Sequence, residues 1–358
     1  MKVCTTLWLQ SFCAALLLAT ALPLTAQTTS ERQKVILDTD FRLPPQDDGI
    51  ALMLAIEAPN LNLLGVTTVA GNGTVQEGTE YSLRELEIAG RTDVAVYPGS
   101  NRPLVHDKPD WTTTWHGNCC WNIDERAEAH KLPPPPGGFA QRQPEKESAV
   151  DFIIHSVEAN PHQVTIMAVG PLTNVAMAIR QEPGLAQKIK QIAIMGGAIG
   201  NLPNGAGNAQ PNAEFNFWVD PEAAHVVLRS GVPIVLTPLN VTSQTHFSKE
   251  WFEKLVAANN PLTNLMKQLM QAKDHRGLHD ELAVAAVIDP SLVKTKKMFV
   301  DVDINHGPAY GESVAWIPGE NENEIWQGAE GAQQISVNYQ VDNERFLALM
   351  YKLLASKT

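Results

Sequence analysis

Short apolar runs alternate with helical patterns along most of the chain. Runs of four to eight apolar residues are typical of buried strands, and apolar residues spaced three to four apart are typical of helices. The predicted strands cover 35–37, 61–69, 94–97, 164–169, 191–195 and 233–236, and the predicted helices cover 49–57, 75–89, 148–158, 173–180, 222–229, 248–273, 280–288 and 344–354. This order predicts a βαβ series, an α/β fold with a largely parallel sheet.

Residues 101–144 have little regular pattern and contain the run Pro133-Pro134-Pro135-Pro136-Gly137-Gly138. We expect a long ordered loop near the functional site, because long loops inside compact domains usually carry function. The whole chain has 358 residues. That length is enough for one large α/β domain with a full core, and a second domain is not required.

The first 26 residues have the pattern of a secretory signal peptide. Lys2 precedes an apolar segment that contains 14–18, and Pro23-Leu24-Thr25-Ala26 follows before polar residues. We expect cleavage after Ala26, a mature domain of 27–358, and a secreted or periplasmic protein. The apolar segment is too short for a stable membrane span.

Charge and cysteine content argue against two further classes of protein, nucleic-acid-binding proteins and disulfide-rich scaffolds. Lys2 is the only charged residue among the first 26, so the mature chain has 26 basic and 39 acidic residues, a net charge of −13 against −12 for the whole chain. An acidic chain is a poor partner for nucleic acid. Only Cys119 and Cys120 would remain after cleavage, which excludes a multi-bridge scaffold. This adjacent pair could form a strained disulfide, link two chains or stay reduced.

Four aspartates surround the end of the first strand and the start of the first helix: Asp38, Asp40, Asp47 and Asp48. The alternative interpretation is a solvated turn whose aspartates cap the helix. However, the carboxyl edge of a parallel sheet is where open α/β folds bind ligands. So many like charges are unfavourable unless a cation or a protonated partner offsets them, and an all-oxygen cluster suits Ca²⁺ or Mg²⁺.

A series of motifs resembles the inosine-uridine-preferring nucleoside hydrolases in content and order. They are Asp38-Thr39-Asp40 with Asp47-Asp48, Val66-Thr67-Thr68-Val69-Ala70-Gly71-Asn72, Val169-Gly170-Pro171-Leu172-Thr173-Asn174, Met195-Gly196-Gly197, Ala213-Glu214-Phe215-Asn216, Asp220-Pro221-Glu222-Ala223-Ala224 and His279-Asp280. The resemblance implies a single domain with an open, eight-stranded, mostly parallel sheet flanked by helices. It also implies one Ca²⁺, hydrolysis of the N-glycosidic bond of ribonucleosides and, we expect, a homo-oligomer.

The same resemblance assigns metal ligands. Asp40, Asp48 and Asp280 match carboxylate ligands, and Val169 matches a position that binds the ion through its backbone carbonyl. Taken singly, Asp280 is more typical of a helix N-cap and Val169 of a strand core. Asp40 also matches the general base that takes a proton from the attacking water.

Substrate contacts are assigned in the same way. Asp47, Asn72, Asn208, Glu214 and Asn216 match positions that hold ribose hydroxyls, and Phe215 is a further expected substrate-binding residue. The apolar Phe215 between the polar Glu214 and Asn216 gives an alternating pattern, which predicts a strand or extended loop with one polar face. His279 matches the acid that protonates the leaving base, and His116 matches a residue of the base pocket. The transition state should resemble a ribosyl oxocarbenium ion.

Three departures from the family pattern lie around the base. The loop 41–46 is longer than usual, 118–121 replaces a small or acidic residue and glycine, and Glu281 replaces a proline. Base preference therefore does not follow from the resemblance. Two alternatives remain: a hydrolase of another ribosyl compound, or a catalytically impaired protein that binds Ca²⁺ and ribose. A dinucleotide-binding dehydrogenase is excluded, because the first strand lacks a Gly-x-Gly-x-x-Gly turn.

Overall fold

The computed structural model describes residues 32–105, 132–317 and 331–356, together with Met1. The predictions for the signal peptide 1–26, for His116 and for Cys119 and Cys120 lie outside the described residues. The described residues from Arg32 onward form one compact unit. The single-domain prediction is confirmed for this part.

The described residues form one central sheet of nine strands and a separate sheet of two short strands. In chain order, the strands are β1 (Gln33–Thr39), β2 (Leu61–Thr68), β3 (Ala95–Pro98), β4 (Thr165–Ala168), β5 (Gln191–Met195), β6 (Ile234–Thr237), β7 (His246–Phe247), β8 (His275–Arg276), β9 (Val293–Val302), β10 (Ser313–Trp316) and β11 (Gln334–Val341). The sheet order is β10-β9-β11-β6-β5-β4-β1-β2-β3, and β7 pairs with β8.

The sheet is mostly parallel, as the sequence predicts. All neighbouring pairs from β11 to β3 run parallel, and only β9 runs antiparallel to β10 and β11. Nine strands are one more than the eight that the resemblance implies. Parallel order brings the carboxyl ends of β1, β4 and β5 to the same edge.

Helices cover both faces of the sheet. They are α1 (Asp47–Glu57), α2 (Val75–Ile88), α3 (Ala149–Ala159), α4 (Thr173–Gln181), α5 (Phe215–Val219), α6 (Pro221–Leu228), α7 (Leu239–Thr242), α8 (Lys249–Val256), α9 (Pro261–Leu269), α10 (His279–Ile288) and α11 (Asn343–Leu354). Strand β1 illustrates the layering, because Val35 and Leu37 pack in one core while Ile36 packs in the other. None of the described helices is long and apolar enough to cross a membrane.

One predicted helix is wrong. The stretch 248–273 is two helices, α8 and α9, separated by a turn. Asn259 adopts a positive φ of 55°, and Pro261 lacks the N–H that a continuous helix needs. Asn260 then caps α9 by accepting a hydrogen bond from the Thr263 N–H at 2.9 Å.

Candidate active site

Asp40 follows the last residue of β1 and is almost completely buried. Its Oδ2 accepts a hydrogen bond from the backbone N–H of Asn72 at 2.5 Å, while its Oδ1 has no hydrogen-bond partner among the described residues. Burial raises the pKa of Asp40 well above its usual range, and the neighbouring Asp48 raises it further. An unpartnered buried carboxylate oxygen is costly unless a cation offsets it.

Asp48 lies in the first turn of α1 and is fully buried. It accepts hydrogen bonds from the Thr39 hydroxyl at 2.5 Å and from the Asn72 side-chain amide at 3.2 Å. Burial, together with the charge of Asp47, raises the pKa of Asp48 to about 7. Asn72 therefore connects two carboxylates, through its backbone to Asp40 and through its side chain to Asp48.

Helix α10 supplies Asp280, which completes a group of three carboxylates with Asp47 and Asp48, here called the acidic floor. Asp280 is buried in the first turn of this helix, which packs beside α1. Carboxylate oxygens of Asp47, Asp48 and Asp280 lie within 4.8 Å of one another. Burial raises the pKa of Asp280 well above its usual range, and Asp47 adds to this. The positive ends of the α1 and α10 helix dipoles offset part of the electrostatic repulsion among these carboxylates.

This donor set fits a hard divalent cation. It consists of carboxylate oxygens, it includes the unpartnered Asp40 Oδ1 beside the cluster, and Asp280 is repelled by Asp47, Asp48 and Asp40 together. The carboxylate cluster differs from the assigned carboxylate ligands in two respects, because Asp47, expected at the ribose, lies inside it and Asp40, expected as a ligand, lies outside it. Asp40 lies next to the cluster without being part of it.

Glu214 caps α5 and is buried. Its carboxylate accepts hydrogen bonds from the backbone N–H groups of Asn216, Gly197 and Phe217 at 2.8, 2.9 and 3.1 Å. Burial raises the pKa of Glu214 to about 7 although these hydrogen bonds oppose the shift. The prediction of an extended segment at 214–216 is wrong, because Glu214 stabilises a short helix from Phe215 onward.

Asn216 connects the ends of two neighbouring strands. Its side-chain amide donates to the backbone carbonyl of Val169 at 2.8 Å and to that of Met195 at 3.2 Å. Val169 follows β4 and lines the same cavity as Asp47 and Asp280. Asn208 accepts a hydrogen bond from the Phe215 N–H at 2.8 Å, which ties the preceding loop to α5.

His279 is the first residue of α10, and its orientation is fixed from two sides. Its Nδ1 lies 2.7 Å from the Thr242 hydroxyl. On the other side is Gly277, at φ 73°, where a Cβ would stand 2.9 Å from the His279 Nε2. Burial lowers the pKa of His279, and Asp47 opposes this shift.

These groups line one cavity of about 260 Å³. Its wall consists of Gln46, Asp47, Asn72, Val169, Met195, Asn208, Glu214, Phe215, Asn216, His279 and Asp280. Nine of these were expected at the site from the sequence. Of the other expected residues, Asp40 and Asp48 lie buried beneath the wall, and His116 is outside the described residues. Gln46 and Met195 were given no role; Met195 belongs to a matching motif, whereas Gln46 carries no sequence signal.

A model of the family described as inosine-uridine preferring nucleoside hydrolase matches residues 35–348. The chain belongs to this nucleoside hydrolase family. As a nucleoside hydrolase it is an enzyme, a glycosidase that acts on ribonucleosides, and its family is metal-dependent.

Similar proteins include the pyrimidine-specific ribonucleoside hydrolase RihB of Escherichia coli, 36% identical over 297 residues, with 79% of this chain and 87% of RihB covered. Solved structures of nucleoside hydrolases superpose on this one. A plant nucleoside hydrolase gives a TM-score of 0.75 at 29% identity, covering 91% of this chain and 99% of the plant chain. The purine-preferring ribonucleoside hydrolase of Gardnerella vaginalis gives 0.72 at 28% identity, covering 90% and 98%.

Proposed function

We propose that this nucleoside hydrolase requires Ca²⁺ to cleave ribonucleosides into ribose and free base. The observation that carries the proposal is the cluster of Asp47, Asp48 and Asp280 at the floor of the cavity, with the unpartnered Asp40 Oδ1 beside it. A bound Ca²⁺ would offset these charges and lower the pKa of a water molecule at the site. Asp48, Asp280, Asp40 and the Val169 carbonyl would hold it, with Asp47 available as a further carboxylate.

Asp40 is proposed as the general base. Its Oδ2 is held by the Asn72 N–H, which leaves Oδ1 to accept a proton from the attacking water. Gly71 and Gly170 pack against this carboxylate and restrict its movement. A base fixed in this way loses little entropy when the reaction begins.

The ribose would lie between the acidic floor and the wall built on α5. Asp47, Asn72, Asn208, Glu214 and Asn216 supply acceptors and donors for its hydroxyl groups. The surrounding negative charge favours a transition state that resembles a ribosyl oxocarbenium ion. Phe215 contributes an apolar surface to the same wall.

His279 is proposed as the acid for the leaving base. It lines the cavity, and Thr242 and Gly277 restrict its ring. Because burial lowers the pKa of His279, the ring must take up a proton before it can donate one to the base. The charge of Asp47 favours the protonated ring. His116 is the second proposed contact on the base side.

The two relatives differ in the base that their names give, since one is pyrimidine-specific and the other purine-preferring. The test is therefore turnover of purine and pyrimidine ribonucleosides, measured as released ribose and free base in equal amounts. We expect hydrolysis of at least one class. A purified, Ca²⁺-loaded protein that binds ribose but cleaves no ribonucleoside would contradict the proposal and favour the impaired binding protein.

We further propose that residues 1–26 are a cleaved signal peptide and that the mature protein is a secreted or periplasmic homo-oligomer. The sequence pattern of 1–26 supports the first part. Mass spectrometry of the exported protein should give Gln27 as the first residue, and light scattering should give a multiple of the chain mass.

A further inference from the structure

Gln46 stands at the rim of the catalytic cavity, in the part of the loop that departs from the family pattern. It lines the cavity beside Asp47 and is exposed, whereas Glu214, Asn216 and Asp280 in the same wall are buried. The wall therefore has a depth order, with Glu214 and Asp280 at the bottom, Asp47 half-buried, and Gln46 and Asn208 at the mouth.

The loop that carries Gln46 is held in place at several points. Phe41 is fully buried, Arg42 forms a salt bridge with Glu77 at 3.1 Å, and the Gln46 N–H donates to the Leu43 carbonyl at 3.2 Å. Pro44 is buried as well. The backbone at Gln46 is thus fixed, so that its side chain reaches the cavity from a defined position.

The side-chain amide of Gln46 is not engaged elsewhere in the described part of the chain. Gln46 occupies the N-cap position of α1, yet its side chain makes no capping hydrogen bond. Nor does any other described residue hydrogen-bond this amide. An amide at a cavity rim without a protein partner keeps its donor and its acceptor for a ligand.

We propose that Gln46 recognises the polar edge of the nucleobase. The inference rests on the proposed function, because the acidic floor must hold the ribose for the base to lie at the mouth. Bases present a donor beside an acceptor, as in the N–H and C=O of uracil and hypoxanthine or the amino group and ring nitrogen of cytosine and adenine. A glutamine amide can pair with either order, since it turns its donor and acceptor to suit. Gln46 therefore favours polar bases without selecting one of them.

The experiment compares Gln46→Leu with the parent enzyme on matched substrate pairs. One pair is uridine and the riboside of pyrimidin-2-one, which lacks the 4-oxygen. The other is inosine and purine riboside, which lacks the 6-oxygen. The Gln33→Leu variant, at the opposite end of β1, is the control for loss of a glutamine amide.

For Gln46→Leu we expect kcat/KM to fall about tenfold on uridine and inosine, and less than threefold on the two ribosides that lack the oxygen. Inhibition by free ribose should stay unchanged, because the acidic floor is intact. Gln33→Leu should not alter the ratio within either pair.

Equal losses on both members of each pair, or weaker inhibition by ribose, would overturn the inference and indicate that Gln46 acts on the sugar or positions Asp47. Failure of the proposed function would look different, because the parent enzyme would then release no ribose from any of the four ribosides. In that case both proposals fall together.

Discussion

Gly71 lies directly against the carboxyl group of Asp40, and a Cβ on Gly71 would stand 2.6 Å from the Asp40 Cγ. A methyl group cannot fit there, so Gly71→Ala must displace the Asp40 side chain or the backbone at residue 71. We expect kcat to fall roughly a hundredfold, because displacement of a catalytic group by about 1 Å has an effect of that size. Steady-state kinetics on a ribonucleoside measure the loss. The control is Gly200→Ala, where a Cβ would meet no atom within 4 Å; equal effects of the two variants would contradict the expected contact.

Removal of the metal ion should abolish activity and lower thermal stability together. Without a cation, the carboxylates of Asp47, Asp48 and Asp280 repel one another across less than 4.8 Å. Chelation verified by metal analysis, followed by thermal unfolding and turnover assays, tests this expectation. Addition of Ca²⁺ should restore both properties. Full turnover in a protein shown to be free of metal would exclude a metal requirement.

Asp40→Asn should lower kcat by roughly two to four orders of magnitude, because it removes the proton acceptor and one carboxylate charge near the ion. Circular dichroism and metal content should accompany the kinetics. A folded, Ca²⁺-loaded variant with near-normal kcat would show that the general base is another residue.

His279→Ala separates protonation of the base from binding of the sugar. We expect a loss of about a hundredfold or more on purine ribonucleosides and little loss on a ribosyl nitrophenyl substrate, whose leaving group needs no proton. Glu214→Gln should affect both substrates alike, because Glu214 lines the cavity and its proposed contact is with the sugar, which both substrates share. Single-turnover kinetics ensure that the chemical step is compared. If His279→Ala slows both substrates equally, His279 only positions Asp280 and His116 becomes the next residue to test.

Asp220 should make stability depend on pH. It is completely buried, and its carboxylate accepts hydrogen bonds from the Thr173 hydroxyl at 2.6 Å and from the Leu104 and Ala223 N–H groups at 2.9 and 3.0 Å. Burial nevertheless raises the pKa of Asp220 from 3.8 to about 6. Folding therefore favours the protonated carboxyl group, so its contribution is complete below pH 3.8 and is lost as the pH rises through 6.

Asp220→Asn cannot titrate, which makes it the matched variant. The difference in free energy of unfolding between the parent and Asp220→Asn should be largest near pH 4 and shrink by on the order of 3 kcal/mol towards pH 7. Chemical denaturation at a series of pH values measures it. A difference that grows with pH would mean that the pKa is lowered instead.

Local patterns were sufficient to predict most of the fold. The strand Gln191–Met195 has the predicted limits, and α1 begins only two residues earlier than expected, because apolar runs and turn residues determine these limits locally. The break between α8 and α9 was also visible in the sequence, since Asn259-Asn260-Pro261 contains the residues that end a helix.

The site was less predictable from local pattern. Asp48 and Asp280 lie far apart in sequence, and only the family resemblance brought them together before the structure did. Helix α5 has five residues, too few for helical periodicity to be read, so the capping role of Glu214 was missed. Gln46 is a polar residue in a turn, and nothing in the sequence distinguishes it from a solvated one.

The carboxylates of the acidic floor come from α1, the first of the described helices, and from α10, which begins at His279. A ribosome must therefore synthesise most of the chain before the ion can find all its ligands. Until then the aspartates of the first helix remain an incomplete, self-repelling group. The cation can consequently bind with all its ligands only late in biogenesis, after α10 has been synthesised, rather than direct the first steps of folding.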